Sequence, residues 1–362
     1  MPAPPRFSPW LTNRPEAKNP DALARIALAK TRVQSVLDRE GVSHQKTLEQ
    51  KISEQGPTPI RVDPHLVGLA IRDLLELRRL RSHRHPTTST TSWYANPGTP
   101  DSTVKERLDA LAPLYATIAG STFGNLVGDA LEIIVFKCLR EIYARDPRYA
   151  FQGTFNLDAP KTANGRYHKV QPPKIIGPHR TEKEADFLQF GYASGPLCIE
   201  CKNYREWIYP HHEVIKKLIE KASDLHVTPV LIARRLHYTT RTNFLEPAGI
   251  LAHETYFQYY PPTEADLAAK VKHKRSLGFT DVTAADEPHT RTTRFFTELL
   301  PKITDGMAER WKANRTALVA YARGDLNLAQ LYTEIDSPAG GKWQDFSENG
   351  PSNEPESEQD YD

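Results

Sequence analysis

Gly195–Tyr204, GPLCIECKNY, carries two overlapping signals. Cys198 and Cys201 have the spacing of a zinc-ligand pair or a redox dithiol, while Glu200 and Lys202 place an acid and an amine on either side of Cys201. The apolar run predicts a strand, on which side chains alternate between faces. Leu197, Ile199 and Cys201 then share one face, and Cys198, Glu200 and Lys202 share the other. Two sulfurs on opposite faces cannot share a metal ion or an unstrained disulfide while the strand stays regular. The third cysteine, Cys138, falls in a predicted helix, so no second pair exists and the dithiol reading fails. Glu200 and Lys202 remain, and burying both on a central strand costs several kcal/mol unless they pair or bind something.

Working outward, ADFLQFGY reads as the preceding strand, joined to PLCIECKNY by a hairpin at Ala193-Ser194-Gly195. Asp186 opens that strand, with Glu184 two residues earlier on the same face. A long helix is predicted over Ser121–Asp146 and carries Glu132. Gly124 and Gly128 on its stripe are expected to let it approach a sheet or substrate backbone closely. YAFQGTFNL alternates like a strand, HHEVIKKLIEKASDLH is amphipathic, and TPVLIARRL and AGILAHETYFQYY read as further strands before a helical remainder. The order predicts an α/β fold, a sheet flanked by helices.

An acid on one strand, Glu-x-Lys on the next and a helical Glu upstream resemble the PD-(D/E)XK nuclease superfamily at Glu132, Asp186, Glu200 and Lys202. The resemblance covers about residues 121–260 and departs from the name-giving pattern in having Ala185 before Asp186, which leaves Glu184 as a rival acid. It implies a restriction-endonuclease-like mixed central sheet. It also implies a Mg2+ site, with Mn2+ able to substitute, held by Asp186, Glu200, Glu132 and the Cys201 carbonyl. Phosphodiester hydrolysis develops negative charge that such an ion and Lys202 would stabilise. Taken alone, Glu200 and Lys202 also fit a plain ion pair.

Upstream, helices are expected over about residues 20–40, 43–55 and 63–82, the last opened by Asp63 as cap and Pro64 at the first helical position. Gly41 and Gly56 are read as helix stops, and SWYAN as a short strand. Three helices and a strand–turn–strand finish over residues 22–96 resemble a winged-helix domain, an α+β unit whose third helix often enters a DNA groove. His65, Arg72, Glu76 and Arg79 would form its polar face, with Arg81, His83 and Arg84 near the wing; a solvated face or a protein-contact role fits the same residues.

The expected organisation is therefore an extended arm over 1–20, a winged-helix-like unit over 21–97, a PGTPDS linker, a nuclease core over 103–262, a helical extension over 263–336 and an acidic tail over 337–362 expected to be disordered. That tail holds seven acids and one lysine, and removing it turns the formal charge of +2 into +8, from 46 basic against 38 acidic residues. A basic body is compatible with a nucleic-acid partner. Three cysteines predict no disulfide framework and a reducing cytoplasm, no apolar run reaches the ~18 residues of a membrane span, and no secretory h-region or Walker loop is present.

Among the remaining motifs, Lys216, Lys217 and Lys221 either track phosphates or form a solvated face, and Arg234 and Arg235 are placed at the substrate edge. Tyr204, Arg205 and Trp207 either stack on bases or cap the core, and His211-His212 opens a helix. These readings combine into a Mg2+-dependent DNA endonuclease of restriction, antiviral or mobile-element defence, with homodimerisation and an activating protein or small-molecule signal as expected partners. The alternatives are a repair or junction-resolving nuclease and a catalytically inactive DNA- or protein-binding scaffold.

Overall fold

The computed structural model describes residues 6–54, 61–88, 92–159, 161–237 and 240–335. The expected stop at Gly56 and the acidic tail over 337–362 lie outside the described residues.

The N-terminal arm is not extended after Phe7. Ser8 caps a short helix, α1 (Pro9–Thr12), a 3-10 turn follows at Pro15–Lys18, and Leu11 is fully buried. Asp73 is the anchor: it accepts from the Ser8 N–H at 2.8 Å and pairs with Lys30 at 2.5 Å, all out of solvent. Burial of Leu11 and this ion pair repay an ordering cost that the arm's prolines already lower.

Helix α2 (Pro20–Glu40) starts on the Asn19 cap and stops at Gly41, whose φ of +75° suits glycine. Strand β1 (Ser43–His44), α3 (Gln45–Ser53), α4 (Pro64–Glu76), β2 (Arg81–His83) and β3 (Trp93–Ala95) complete the unit. The strands form an antiparallel sheet in the order β1-β3-β2, with Tyr94 opposite both Ser43 and Ser82. Ile26, Val33, Leu37, Leu48, Ile71 and Leu74 supply the core. The expected linker is shorter than PGTPDS, because α5 (Asp101–Ala119) already begins at Asp101.

Helix α6 (Ser121–Arg145) leads into the larger unit. Gly124 and Gly128 do not serve close approach: a Cβ at either would meet nothing within 4 Å. The predicted YAFQGTFNL strand is broken at Gly153 (φ +100°) into β4 (Phe151–Gln152) and β5 (Thr154–Asn156). Strand β5 pairs with β6 (His168–Val170), and β7 (Ile175–Ile176) pairs with β8 (His179–Arg180), in two small hairpins. Strands β9 (Phe187–Gln189) and β10 (Leu197–Lys202) follow, then α7 (Glu213–Leu225), β11 (Thr228–Ala233) and β12 (Leu251–Glu254).

The central sheet runs β12-β11-β10-β9-β4. Strand β10 is antiparallel to β9 and parallel to β11, with Glu200 opposite Leu231, and α7 makes the crossover. Because β11 is buried along its whole length, its apolar run needs no alternation. Alternation on β10 feeds two separate cores. Leu197, Ile199 and Cys201 pack with α6, and Cys198 packs with Ile215, Leu218 and Leu231. The AGILAHETYFQYY strand ends early, since Tyr256 takes a left-handed φ of +63° and Gln258–Tyr259 pairs with Val282–Thr283 instead.

Within the expected extension over 263–336, residues 263–335 are described and are part of both cores. Phe295, Phe296 and Leu300 pack on the α6 side, while Trp311, Leu318 and Tyr321 of the Leu300–Arg323 helix pack on the α7 side. The chain is a mixed α/β protein, and among the described residues no helix is long and apolar enough to cross a membrane.

Candidate active site

Three carboxylates and three ammonium groups meet at the β9–β10 edge of the sheet. Asp186, just ahead of β9, accepts the Cys201 N–H of β10 at 2.7 Å on Oδ2. Its Oδ1 lies 3.3 Å from Lys169 Nζ, which reaches over from β6 and also binds Glu132 of α6 at 2.5 Å. On β10, Lys202 pairs with Glu200 at 2.5 Å. The second Glu200 oxygen takes the buried Lys221 of α7, which also donates to the Glu184 carbonyl at 2.6 Å.

Gly153 makes this approach feasible. A Cβ there would lie 2.6 Å from the Asp186 carbonyl oxygen, so the left-handed break between β4 and β5 lets the backbone pass the site.

Electrostatics separate the acids. Burial, then the neighbouring Asp186 charge, push the Glu132 carboxyl up to about 7 despite Lys169. Burial alone would lower Lys202, but Glu200 and Asp186 outweigh it and hold the ammonium well above the ordinary lysine value. Asp186 and Glu132 together do the same for Lys169 against its burial. Burial pushes the Cys201 thiol far up, so it is an apolar filler whose N–H, not its sulfur, serves the site.

The four residues expected from the sequence are brought together, but not in the expected partnership. Glu200 is committed to Lys202 and Lys221, and the carboxylate that shares a cation position with Asp186 is Glu132. Among the described residues no three His, Cys, Asp or Glu side chains are gathered to hold a metal. The donors fit a divalent ion in part: two acids converge on one cation position, and the Lys169 ammonium stands in it. Glu184 lies 3.4 Å from Lys174 and lines the cleft beside Glu200 and Lys202, whereas Asp186 is the acid bonded to the β10 backbone.

A cleft of about 600 Å3 opens beside Glu200 and Lys202, lined also by Tyr204, His212, Lys217 and Lys221. Lys216 faces away, over the Tyr321 ring at 5.6 Å. Arg234 corrects the substrate-edge reading. It is 1% exposed and binds Glu54, Asp281 and the Tyr204 and Arg205 carbonyls, and its N–H donates to the Lys202 carbonyl at 3.1 Å. Trp207 is likewise a structural donor, to Glu54 at 3.0 Å.

In the N-terminal unit, His65 is 2.9 Å from Glu16, and Arg72 pairs with Glu76 and lies over Trp10, so the arm occupies part of the α4 polar face. Arg81 is tied to Asp101 and the Thr99 carbonyl, whereas Arg79 and Arg84 are exposed. Lys169 and Glu54 carry no local signal: Lys169 meets Asp186 across 17 residues and Glu54 meets Arg234 across 180. Only a search for basic residues to offset the clustered acids could have found Lys169.

No family model matches the chain, and no curated protein matches it. Among solved structures the chain is similar to the crystal structure of protein VC1899 from Vibrio cholerae, with 14% identity and a TM-score of 0.25 over 73% of this chain and 58% of that one. A likeness at that TM-score carries no argument about fold or function.

Proposed function

We propose that this chain is a PD-(D/E)XK-type, metal-dependent DNA endonuclease with a winged-helix-like N-terminal unit. One observation carries the reading. Glu200 and Lys202 lie on β10 and Asp186 directly ahead of its antiparallel neighbour β9, tied by the Asp186–Cys201 hydrogen bond, with Glu132 of the preceding helix sharing Lys169 with Asp186. The strand order, with β10–α7–β11 as a parallel crossover, supports the nuclease core. The helix–strand–helix–helix–strand–strand order of residues 20–95 supports the winged-helix assignment.

Hydrolysis forms a P–O bond to water, breaks the P–O bond to the leaving sugar oxygen and transfers a proton from the water to that oxygen or to solvent. Lys202, held protonated and open to the cleft, stabilises charge on the phosphoryl oxygens. Lys217 and Tyr204 line the path of the flanking backbone. Glu132 and Asp186 are the oxygen donors a divalent ion would take, with Lys169 displaced from between them. A bound Mg2+ supplies Lewis-acid stabilisation of the same oxygens. Arg84 is an exposed N-terminal cation left to meet DNA.

Supercoiled plasmid should be nicked or cut with Mg2+ or Mn2+ and left intact with EDTA, and Glu200→Gln or Lys202→Met should abolish cleavage. Retained cleavage in both variants refutes the assignment. A second reading, an inactive DNA- or protein-binding scaffold, is favoured by the pairing of every acid in the cluster with a lysine. It expects DNA binding that persists in EDTA and no cleavage with any divalent ion.

A further inference from the structure

We propose that the cleft between the N-terminal unit and the core binds a small polyanion carrying two or more phosphate groups. The inference is independent of the nuclease reading and concerns a different part of the molecule. The cleft has a volume of about 1070 Å3, within reach of a nucleotide-sized ligand. Its walls come from the end of α2, the turn after α4, the segment entering α5 and a loop of the core.

Five arginines line it: Arg39, Arg78, Arg79, Arg107 and Arg275. Arg107 is structural, donating to the Glu40 carbonyl at 3.1 Å and to the Arg275 carbonyl at 2.7 Å, and so closes the floor between the two units. The side chains of Arg39, Arg78, Arg79 and Arg275 have no hydrogen-bond or ion-pair partner among the described residues, and all four are exposed. One of the three acids around them is spent: both Glu40 oxygens hold Lys51, at 2.8 and 2.7 Å. Asp38 accepts only from the neutral Asn96 amide, at 2.6 Å, and neither it nor Glu106 has an ion-pair partner among the described residues. Four uncommitted guanidiniums against two carboxylates, converging on one concavity from three separate segments, is an arrangement that attracts phosphate oxygens.

Two backbone features agree. Arg78 follows α4 in a left-handed conformation, φ +54°, at a helix-end position where glycine is favoured. An arginine is kept there at a cost of about 1 kcal/mol. Helix α5 begins at this cleft with no side chain capping its first turn, so its N–H groups and positive dipole end face the same space. A ligand held by Arg39, Arg78 and Arg79 on one side and Arg275 on the other would tie the N-terminal unit to the core.

The test is calorimetric titration of the full chain with inorganic tripolyphosphate at moderate salt. We expect saturable binding, weakened at least about tenfold by the Arg39→Gln/Arg275→Gln pair and in the same direction by Arg79→Gln. The control pair Lys302→Gln/Arg323→Gln, exposed and outside both clefts, should leave it unchanged, and a saturating short DNA duplex should not displace the probe. All these side chains are exposed, and circular dichroism checks that each variant folds. Absence of saturable binding overturns the proposal. Equal weakening by both pairs also overturns it, as general charge attraction. Displacement by the duplex assigns the arginines to a DNA surface and overturns it as well.

Discussion

Replacing Arg234 by Met tests how the N-terminal unit and the sheet are held together. Its guanidinium is buried and donates to Glu54 at 2.9 and 3.2 Å, to Asp281 at 2.6 Å, to the Tyr204 carbonyl at 3.0 Å and to the Arg205 carbonyl. Methionine keeps much of the volume and removes every donor. Asp281 retains Arg205, while Glu54 keeps the Gln50 side-chain amide at 2.8 Å, the Trp207 N–H and a distant contact with Arg235 at 4.0 Å, but no close cation among the described residues. Breaking a buried pair from one side costs about 3–5 kcal/mol. Because Asp281 stays paired, the lower end, about 3 kcal/mol, is expected from urea unfolding at pH 7. Glu54→Gln in the Arg234→Met background should recover part of that loss, since it removes the stranded charge.

The pH dependence has a definite sign. Burial alone would raise Glu54 and Asp281, but Arg234 and Arg205 outweigh it and hold both below the ordinary carboxylate range. Their contribution is present above the unfolded carboxylate values and is lost as pH falls through the lower folded ones. In Arg234→Met, acidification instead relieves a stranded charge, so the gap between the two proteins should narrow from pH 6 towards pH 3. A cost below about 1 kcal/mol, or a gap that widens in acid, would refute the reasoning.

Three further changes have clear outcomes. Gly153→Ala places a Cβ against the Asp186 carbonyl at φ +100° and should cost about 2 kcal/mol or more in urea unfolding; a neutral result means β4 and β5 shift freely. Lys221→Met strips Glu200 of its buried partner and should destabilise by about 2–3 kcal/mol, partly restored by adding Glu200→Gln; an unrestored loss would assign the effect to packing. Burial pushes His253, stacked on Phe295, down to about 3. The unfolded chain binds that proton from about pH 6.5 downward and the folded chain resists it to about pH 3, so stability falls across this window. His253→Gln should flatten the slope, and an unchanged slope would sink the assignment.

What was legible in the sequence was short-range. Strand β10 announced its two faces by alternation, and the structure sends Cys198 and Cys201 into different cores as that alternation requires. The continuous apolar run of β11 and the Asp63-Pro64 start of α4 were equally local signals. Glycine supplied the clearest failures. Gly124 and Gly128 looked like a close-packing stripe and face open space, whereas Gly153, inside an alternating stretch, breaks the strand and admits Asp186. Periodicity cannot distinguish these cases, because the need for glycine is set by what the fold brings against it.

Charge pairing was the other blind spot. Lys221 lies on an amphipathic helix and reads as solvated, yet its stem runs along the apolar face and its ammonium ends on Glu200. Arg234 and Glu54 were separated by 180 residues and by the expected boundary between two units. Their pairing changes the meaning of that boundary. A unit attached only through a linker could be moved without effect on β10, but here Glu54 holds Arg234, and Arg234 holds the backbone from Lys202 to Arg205. The end of the strand that carries Glu200 and Lys202 is therefore fixed by a residue of the N-terminal unit, and a change at Glu54 should reach the site without touching it.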